Sequence, residues 1–157
     1  NIKKYSIFEN MQVINYFKNK HDNEKISYIS DIKKNCQYDL LYSNSTFQYF
    51  LDDSFILKSI KNVDAKYILL DDTFIGDIKD YYSLQNYYNY KIPVKFRNSN
   101  QFIQLIKKLG YKLIFMEPYI SKHRNKFQPL PMKGFTSKFK VEFSQKLFFI
   151  RNDKHKR

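Results

Sequence analysis

The sequence predicts an α/β domain on a mainly parallel sheet with helices on both faces. Short apolar runs of strand length alternate with segments whose apolar residues recur at helical spacing, the pattern of successive β-α steps. YDLLY over Tyr38–Tyr42 shows little alternation, as a strand covered on both faces does. Polar or acidic residues follow four of the runs, at Glu9, Ser30-Asp31, Asn44-Ser45 and Asp71-Asp72. Ligands of such sheets sit beyond the carboxyl ends of the strands, so these four positions would line one rim. Each of them also suits a turn or a helix cap.

Taken in order, Lys3–Glu9 (KKYSIFE) is a strand ending in a carboxylate, and Met11–Lys20 is a helix carrying Val13, Ile14 and Phe17 inward. Lys25–Ile29 and Tyr38–Tyr42 are the next two strands. A helix follows, capped by Asp52 or Asp53, with Ile56, Ile60 and Val63 on its buried face. Ala65–Leu70 (AKYILL) is the most strand-like stretch. A polar, tyrosine-rich connection leads to a helix capped by Ser99 or Asn100, with Phe102, Ile106 and Leu109 as its inner stripe. Gly110 supplies a left-handed stop. Tyr111–Met116 and Lys146–Arg151 are the last strands, separated by a loop holding Pro118, Pro129, Pro131 and Gly134. The domain spans residues 1–152, and 153–157 form a basic tail.

A chain of 157 residues suits one domain, and 43% hydrophobic with 18% aromatic residues excludes a disordered segment. No apolar run approaches the roughly 18 residues of a membrane span, and no signal-peptide pattern is visible, so a cytoplasmic protein is expected. Because the chain opens on Asn1 and runs directly into a strand, a piece of a longer protein is expected. Cys36 is the single cysteine and forms no internal disulfide; His21, His123 and His155 lack ligand spacing, so no metal site is expected. The net charge of +13 raises nucleic-acid binding, but lysine is dispersed among Asn, Ile, Tyr and Phe without an arginine cluster or stacking motif. The densest patches, Lys122–Lys126 and Lys154–Arg157, read as solvated loop and tail. Nucleic acid is therefore not the expected partner.

The order strand-Glu, strand-Ser-Asp, YDLLYSNSTFQYF, helix, AKYILLDD, helix-Gly-Tyr-strand and final strand resembles the class I S-adenosylmethionine-dependent methyltransferases, from their second strand to their seventh. The likeness covers Ile2–Asn152. It is nearest to a methyltransferase group associated with bacterial surface-polysaccharide loci, through Phe47-Gln48-Tyr49 within Ser43–Tyr49, Leu84-Gln85 and Gly110-Tyr111.

The resemblance implies a Rossmann-like sheet, mainly parallel with an antiparallel last strand, and S-adenosyl-L-methionine as cofactor. Glu9 would accept hydrogen bonds from the ribose hydroxyls, for which a carboxylate has the acceptors. Asp31 would meet the adenine amino group and Ile32 its ring, while Asn44 and Ser45 would line the amino-acid end. Phe47, Gln48 and Tyr49 would face the methyl donor, with Tyr49, Asp71 and Gln85 toward the acceptor. Asp72 is the expected base for a hydroxyl acceptor, with Asp71 and His123 as alternatives. Acceptor recognition is placed in Tyr81–Tyr90 and Ser121–Phe135, where stacking rings suit a sugar or an aromatic group.

One departure bears on activity. The family opens with a strand and a glycine-rich turn whose backbone closely approaches the cofactor. Here Gly76, Gly110 and Gly134 are the only glycines, so the first βα unit is expected to be absent and cofactor binding weak. Sheet edge and helix faces that this unit would cover should then be exposed. Two other classes fit the same residues: another nucleotide-using Rossmann enzyme, such as a nucleotide-sugar enzyme, and a non-enzymatic basic nucleic-acid-binding module. The methyl acceptor and the oligomeric state stay open.

Overall fold

A computed structural model describes residues 3–18, 20, 23–32, 37–120 and 129–152. Its elements are β1 (Tyr5–Phe8), α1 (Met11–Lys18), β2 (Ile26–Ile29), β3 (Leu40–Asn44), a 3-10 turn (Phe47–Tyr49) and α2 (Asp53–Val63). β4 (Tyr67–Thr73), β5 (Ile75–Gly76), β6 (Tyr81–Tyr87) and β7 (Tyr90–Asn98) follow. The chain continues through α3 (Ser99–Lys108), β8 (Tyr111–Pro118), a second 3-10 turn (Ser137–Phe139) and β9 (Gln145–Arg151).

The strands form three sheets: β1-β2, β3-β4-β9-β8 and β5-β7-β6. β1–β2, β3–β4 and β5–β7 are parallel, whereas β4–β9, β8–β9 and β6–β7 are antiparallel. The mainly parallel sheet of the sequence reading is thus corrected to a mixed one. The last strand is antiparallel as expected, but the tyrosine-rich connection is itself an antiparallel hairpin, paired from Tyr81↔Phe96 to Tyr87↔Tyr90. Its two-residue loop, Tyr88-Asn89, places Tyr88 at φ 51 without the glycine that usually signals such a turn.

The α2 and α3 helices obey the sequence pattern, whereas of the three residues expected inward on α1 only Ile14 is buried and Phe17 is 36% exposed. Asp52 caps α2 by accepting from Ser54 N at 2.8 Å, and Ile56, Ile60 and Val63 are buried. Gly110 ends α3 at φ 90, as predicted. The α3 cap is a correction: Asn98, not Ser99 or Asn100, accepts from Gln101 N at 2.9 Å. Three capping residue types stand in a row, and only the side-chain geometry selects among them.

The main core joins Ile56 and Ile60 of α2 and Phe102 and Ile106 of α3 to Ile68, Leu70, Leu147 and Phe149. These strand positions, with Leu41 and Leu113, share one sheet face, so α2 and α3 lie on the same side of the four-stranded sheet. On the opposite face Phe148 stacks between Tyr67 and Phe115 at 5.8 and 5.6 Å. Leu40 and Tyr42 continue that row and are 47% and 53% exposed. β3 is therefore not covered on both faces, which corrects its reading as a doubly buried strand. A second core gathers Phe74, Ile78, Val94, Phe96, Met132 and Val141 beneath the hairpin. Gly76 lies against it, where an added Cβ would come within 3.0 Å of Val141.

The β1-β2 unit is pinned to the rest at its flank. Ser6 Oγ lies 3.2 Å from Ser27 Oγ and accepts from the Tyr38 hydroxyl at 3.0 Å. The edges of β1 and β3 face different sheets without pairing to one another.

Candidate functional site

The rim is built where β3 and β4 end. β4 extends beyond its predicted end, and its register to β9 shifts between Leu70 and Thr73. That irregularity re-aims the side chains of Asp71 and Asp72, as bulges beside functional sites do. Ser45 and Asp72 both adopt left-handed backbone, at φ 50 and φ 51. Two such non-glycine residues cost about 1–3 kcal/mol each, so their surroundings must hold them there. Part of the restraint is mutual: Ser45 Oγ lies 2.5 Å from Asp72 Oδ2, and Ser45 N donates to Asp71 O at 3.1 Å.

A polar network spreads from this pair. Tyr42 donates its hydroxyl to Asp71 Oδ2 at 3.2 Å. Asn44 Nδ2 donates to the hydroxyls of Tyr42 and Tyr119 at 3.3 and 3.2 Å. Ser45 Oγ is 2.7 Å from Asn44 Oδ1, and Tyr49 donates to Gln85 Oε1 at 3.0 Å. Burial pushes the Tyr42 and Tyr49 phenols up, and the charges of Asp71 and Asp72 respectively add to it, so both are protonated donors at neutral pH. Among the described residues Asp71 and Asp72 take part in no ion pair.

The structure thus brings together Asn44, Ser45, Tyr49, Asp71, Asp72 and Gln85, and adds Tyr42 and Tyr119, which the sequence reading missed. Tyr119 directly follows β8, a position that could have been read as a fifth strand end. Gln48 is only 1% exposed, and its Oε1, like Asp71 Oδ1, has no hydrogen-bond partner among the described residues. Phe47 does not face a ligand: it is buried in the main core with its ring edge to Phe102 at 6.4 Å, correcting its reading as a pocket residue.

Glu9 directly follows β1 and Asp31 comes two residues after β2, and Glu9 N donates to Ile29 O at 3.0 Å. Glu9 is exposed and accepts from Asn10 N at 3.2 Å, while the helix-capping role falls to Asn10, whose Oδ1 accepts from Val13 N. Ile32 is half-buried, and its carbonyl accepts from Asn62 Nδ2 at 3.2 Å. Cys36, His21, His123, His155, Lys122–Lys126 and the 153–157 tail lie outside the described residues. The described part of the Ser121–Phe135 loop sends Leu130, Met132 and Phe135 into the second core.

The charged cluster at the start of α2 was also missed. Asp53 receives Lys95 Nζ at 2.7 Å and Arg97 Nε at 2.8 Å, and Lys95 reaches Asp80 at 3.3 Å. Burial opposes ionisation of Asp53, but the hydrogen bonds from Lys95 and Arg97 prevail and hold its carboxyl below the usual range. A depressed carboxylate stabilises the fold above its unfolded value of about 3.9, and that contribution is lost as pH falls through the lower folded value. Urea midpoints should therefore drop below about pH 4, and Asp53→Asn should flatten that segment of the curve.

Among the described residues no group of three or more His, Cys, Asp or Glu could hold a metal, and no helix is long and apolar enough to cross a membrane. No family model matches the sequence, and no curated protein matches it. Solved structures do match the fold. A Listeria monocytogenes protein assigned as an S-adenosylmethionine-dependent methyltransferase aligns at TM-score 0.65 and 10% identity, over 96% of this chain and 81% of that one. The glycopeptide N-methyltransferase MtfA with S-adenosyl-L-homocysteine aligns at 0.61 and 8% identity, over 93% and 73%. A pericyclic reaction enzyme aligns at 0.57 and 11% identity, over 95% of this chain and 36% of that one. The chain has the α/β fold of the S-adenosylmethionine-dependent methyltransferases.

Proposed function

We propose that the chain is most of an S-adenosylmethionine-dependent methyltransferase acting on an oxygen or nitrogen of its acceptor, with a sugar or polysaccharide precursor as the acceptor class. The observation that carries the reading is the strained Ser45–Asp72 pair, set among neutral phenols at the carboxyl ends of β3 and β4 on this fold. The residue types along the rim suit the parts of the cofactor. Glu9 offers an exposed carboxylate for ribose, Asp31 and Ile32 follow β2 for adenine, and Asn44, Ser45 and Gln48 serve the amino-acid end. The cofactor, when bound, supplies a sulfonium methyl group. Asp72, steadied by Ser45, takes the acceptor proton; Tyr49, Asp71 and Gln85 orient the acceptor. Tyrosines exposed on the hairpin, among them Tyr88 at 90%, suit a sugar face.

The reading includes one missing βα unit. A strand between the unpaired edges of β1 and β3 would join the two sheets, and its helix would shield the exposed Leu40 and Tyr42 of β3. Without it, S-adenosylhomocysteine should bind weakly, which calls for NMR titration at high ligand concentration. Amide shifts should concentrate at Glu9, Asp31 and Ser45, and a nucleotide sugar should produce smaller ones. Glu9→Ala should weaken binding about tenfold to a hundredfold, the worth of hydrogen bonds to a charged group. Larger shifts with the nucleotide sugar, or shifts remote from the rim, would overturn the reading.

A further inference from the structure

We infer that Arg97 is a positioning residue for the rim, acting as a clamp on the turn that carries Gln48 and Tyr49; this rests on the methyltransferase reading above. Arg97 lies near the end of β7, and its side chain is 1% exposed. Nη1 donates to Phe47 O at 3.0 Å, Nη2 donates to Phe50 O, and Nε donates to Asp53 Oδ1 at 2.8 Å. The two carbonyls bracket the Phe47–Tyr49 turn, and the carboxylate belongs to the first turn of α2. One guanidinium therefore fixes both ends of a three-residue 3-10 turn, a conformation with poor hydrogen-bond geometry of its own.

The turn begins two residues after Ser45, so its placement decides how Gln48 and Tyr49 stand beside the Ser45–Asp72 pair. Tyr49 reaches Gln85 on β6 from it. The rim and the tyrosine hairpin are thereby registered to each other through β7, because the strand that carries Arg97 is also the hairpin's second strand. A planar fork with five donors suits this task. Lysine carries its three donors on one atom, so it cannot occupy the separate positions from which Nε, Nη1 and Nη2 reach Asp53, Phe47 O and Phe50 O.

Arg97→Lys keeps the charge and removes the fork. The variant should melt cooperatively, but its Tyr49 and Phe50 amides should exchange about tenfold faster than in the wild type while Leu70 and Phe149 amides do not. S-adenosylhomocysteine binding should weaken by about the same factor, because the turn no longer holds Gln48 and Tyr49 in place. Unchanged exchange at Tyr49 and Phe50 overturns the clamp. Faster exchange with unchanged ligand affinity overturns its link to the rim. If the wild-type chain gives no ligand shifts at all, the methyltransferase reading and the link fall together, whereas the exchange rates still decide whether Arg97 holds the turn. Should Arg97→Lys not fold, the wild type decides: Tyr49 and Phe50 amides should be protected together with those of β7, and free exchange at the turn beside a protected β7 overturns the inference.

Discussion

Asp53→Ala is expected to remove about 3–5 kcal/mol of unfolding free energy, the cost of stranding a buried charge. Two cations depend on that carboxylate, with Arg97 buried completely and the Lys95 side chain 8% exposed. The loss comes from what is left behind. Lys95 retains Asp80 at 3.3 Å, but Arg97 keeps neutral partners, the Phe47 and Phe50 carbonyls and the Phe102 ring. Adding Arg97→Met to Asp53→Ala should recover part of that loss, because the stranded guanidinium is then gone, although Phe47 O and Phe50 O lose their donor. Urea unfolding of the wild type and both variants at neutral pH measures this. A loss below about 1 kcal/mol for Asp53→Ala would mean that water reaches the cations and the cluster behaves as a surface pair.

Phe149→Ala should cost a similar amount, about 3–5 kcal/mol, as a large aromatic removed from a packed core. Phe149 is wholly buried on β9 against β4, facing α2 and α3. Its neighbour Phe148 points the other way, into the half-buried row with Tyr67 and Phe115. Phe148→Ala should therefore cost far less, and the contrast between adjacent phenylalanines measures how one-sided the coverage is. Equal losses would show that the second face is as well packed as the first. Since domains of this size are stable by roughly 5–15 kcal/mol, Phe149→Ala should shift the thermal midpoint by many degrees.

Features set by local periodicity were legible in the sequence. Ile56, Ile60 and Val63 face inward because helical spacing forces them onto one side, and Gly110 stands where only a residue tolerant of positive φ ends a helix cheaply. The strand-end acids were readable for the same reason. Features decided by distant partners were not. Lys95 and Arg97 alternate with Val94 and Phe96 like an outward polar face, and their burial depends on Asp53, 44 residues from Arg97. The hairpin hid because tyrosines occupy both of its faces and its turn lacks glycine. Likewise, serine gives no hint of left-handed backbone at Ser45, and aspartate, which tolerates it, stands at many positions where it does not adopt it, so Asp72 could not be singled out. Their conformation follows from the β4 irregularity and from their contact with one another.

The exposed aromatic row has a consequence for the chain in solution. Its net charge of +13 makes copies repel one another, and that repulsion acts against contact between their uncovered apolar faces. At about 0.15 M ionic strength the screening length is only about 8 Å, so copies approach with little electrostatic resistance. Salt, which ordinarily loosens unwanted charge contacts, here removes the barrier to self-association, and the monomer is favoured in dilute, low-salt buffer.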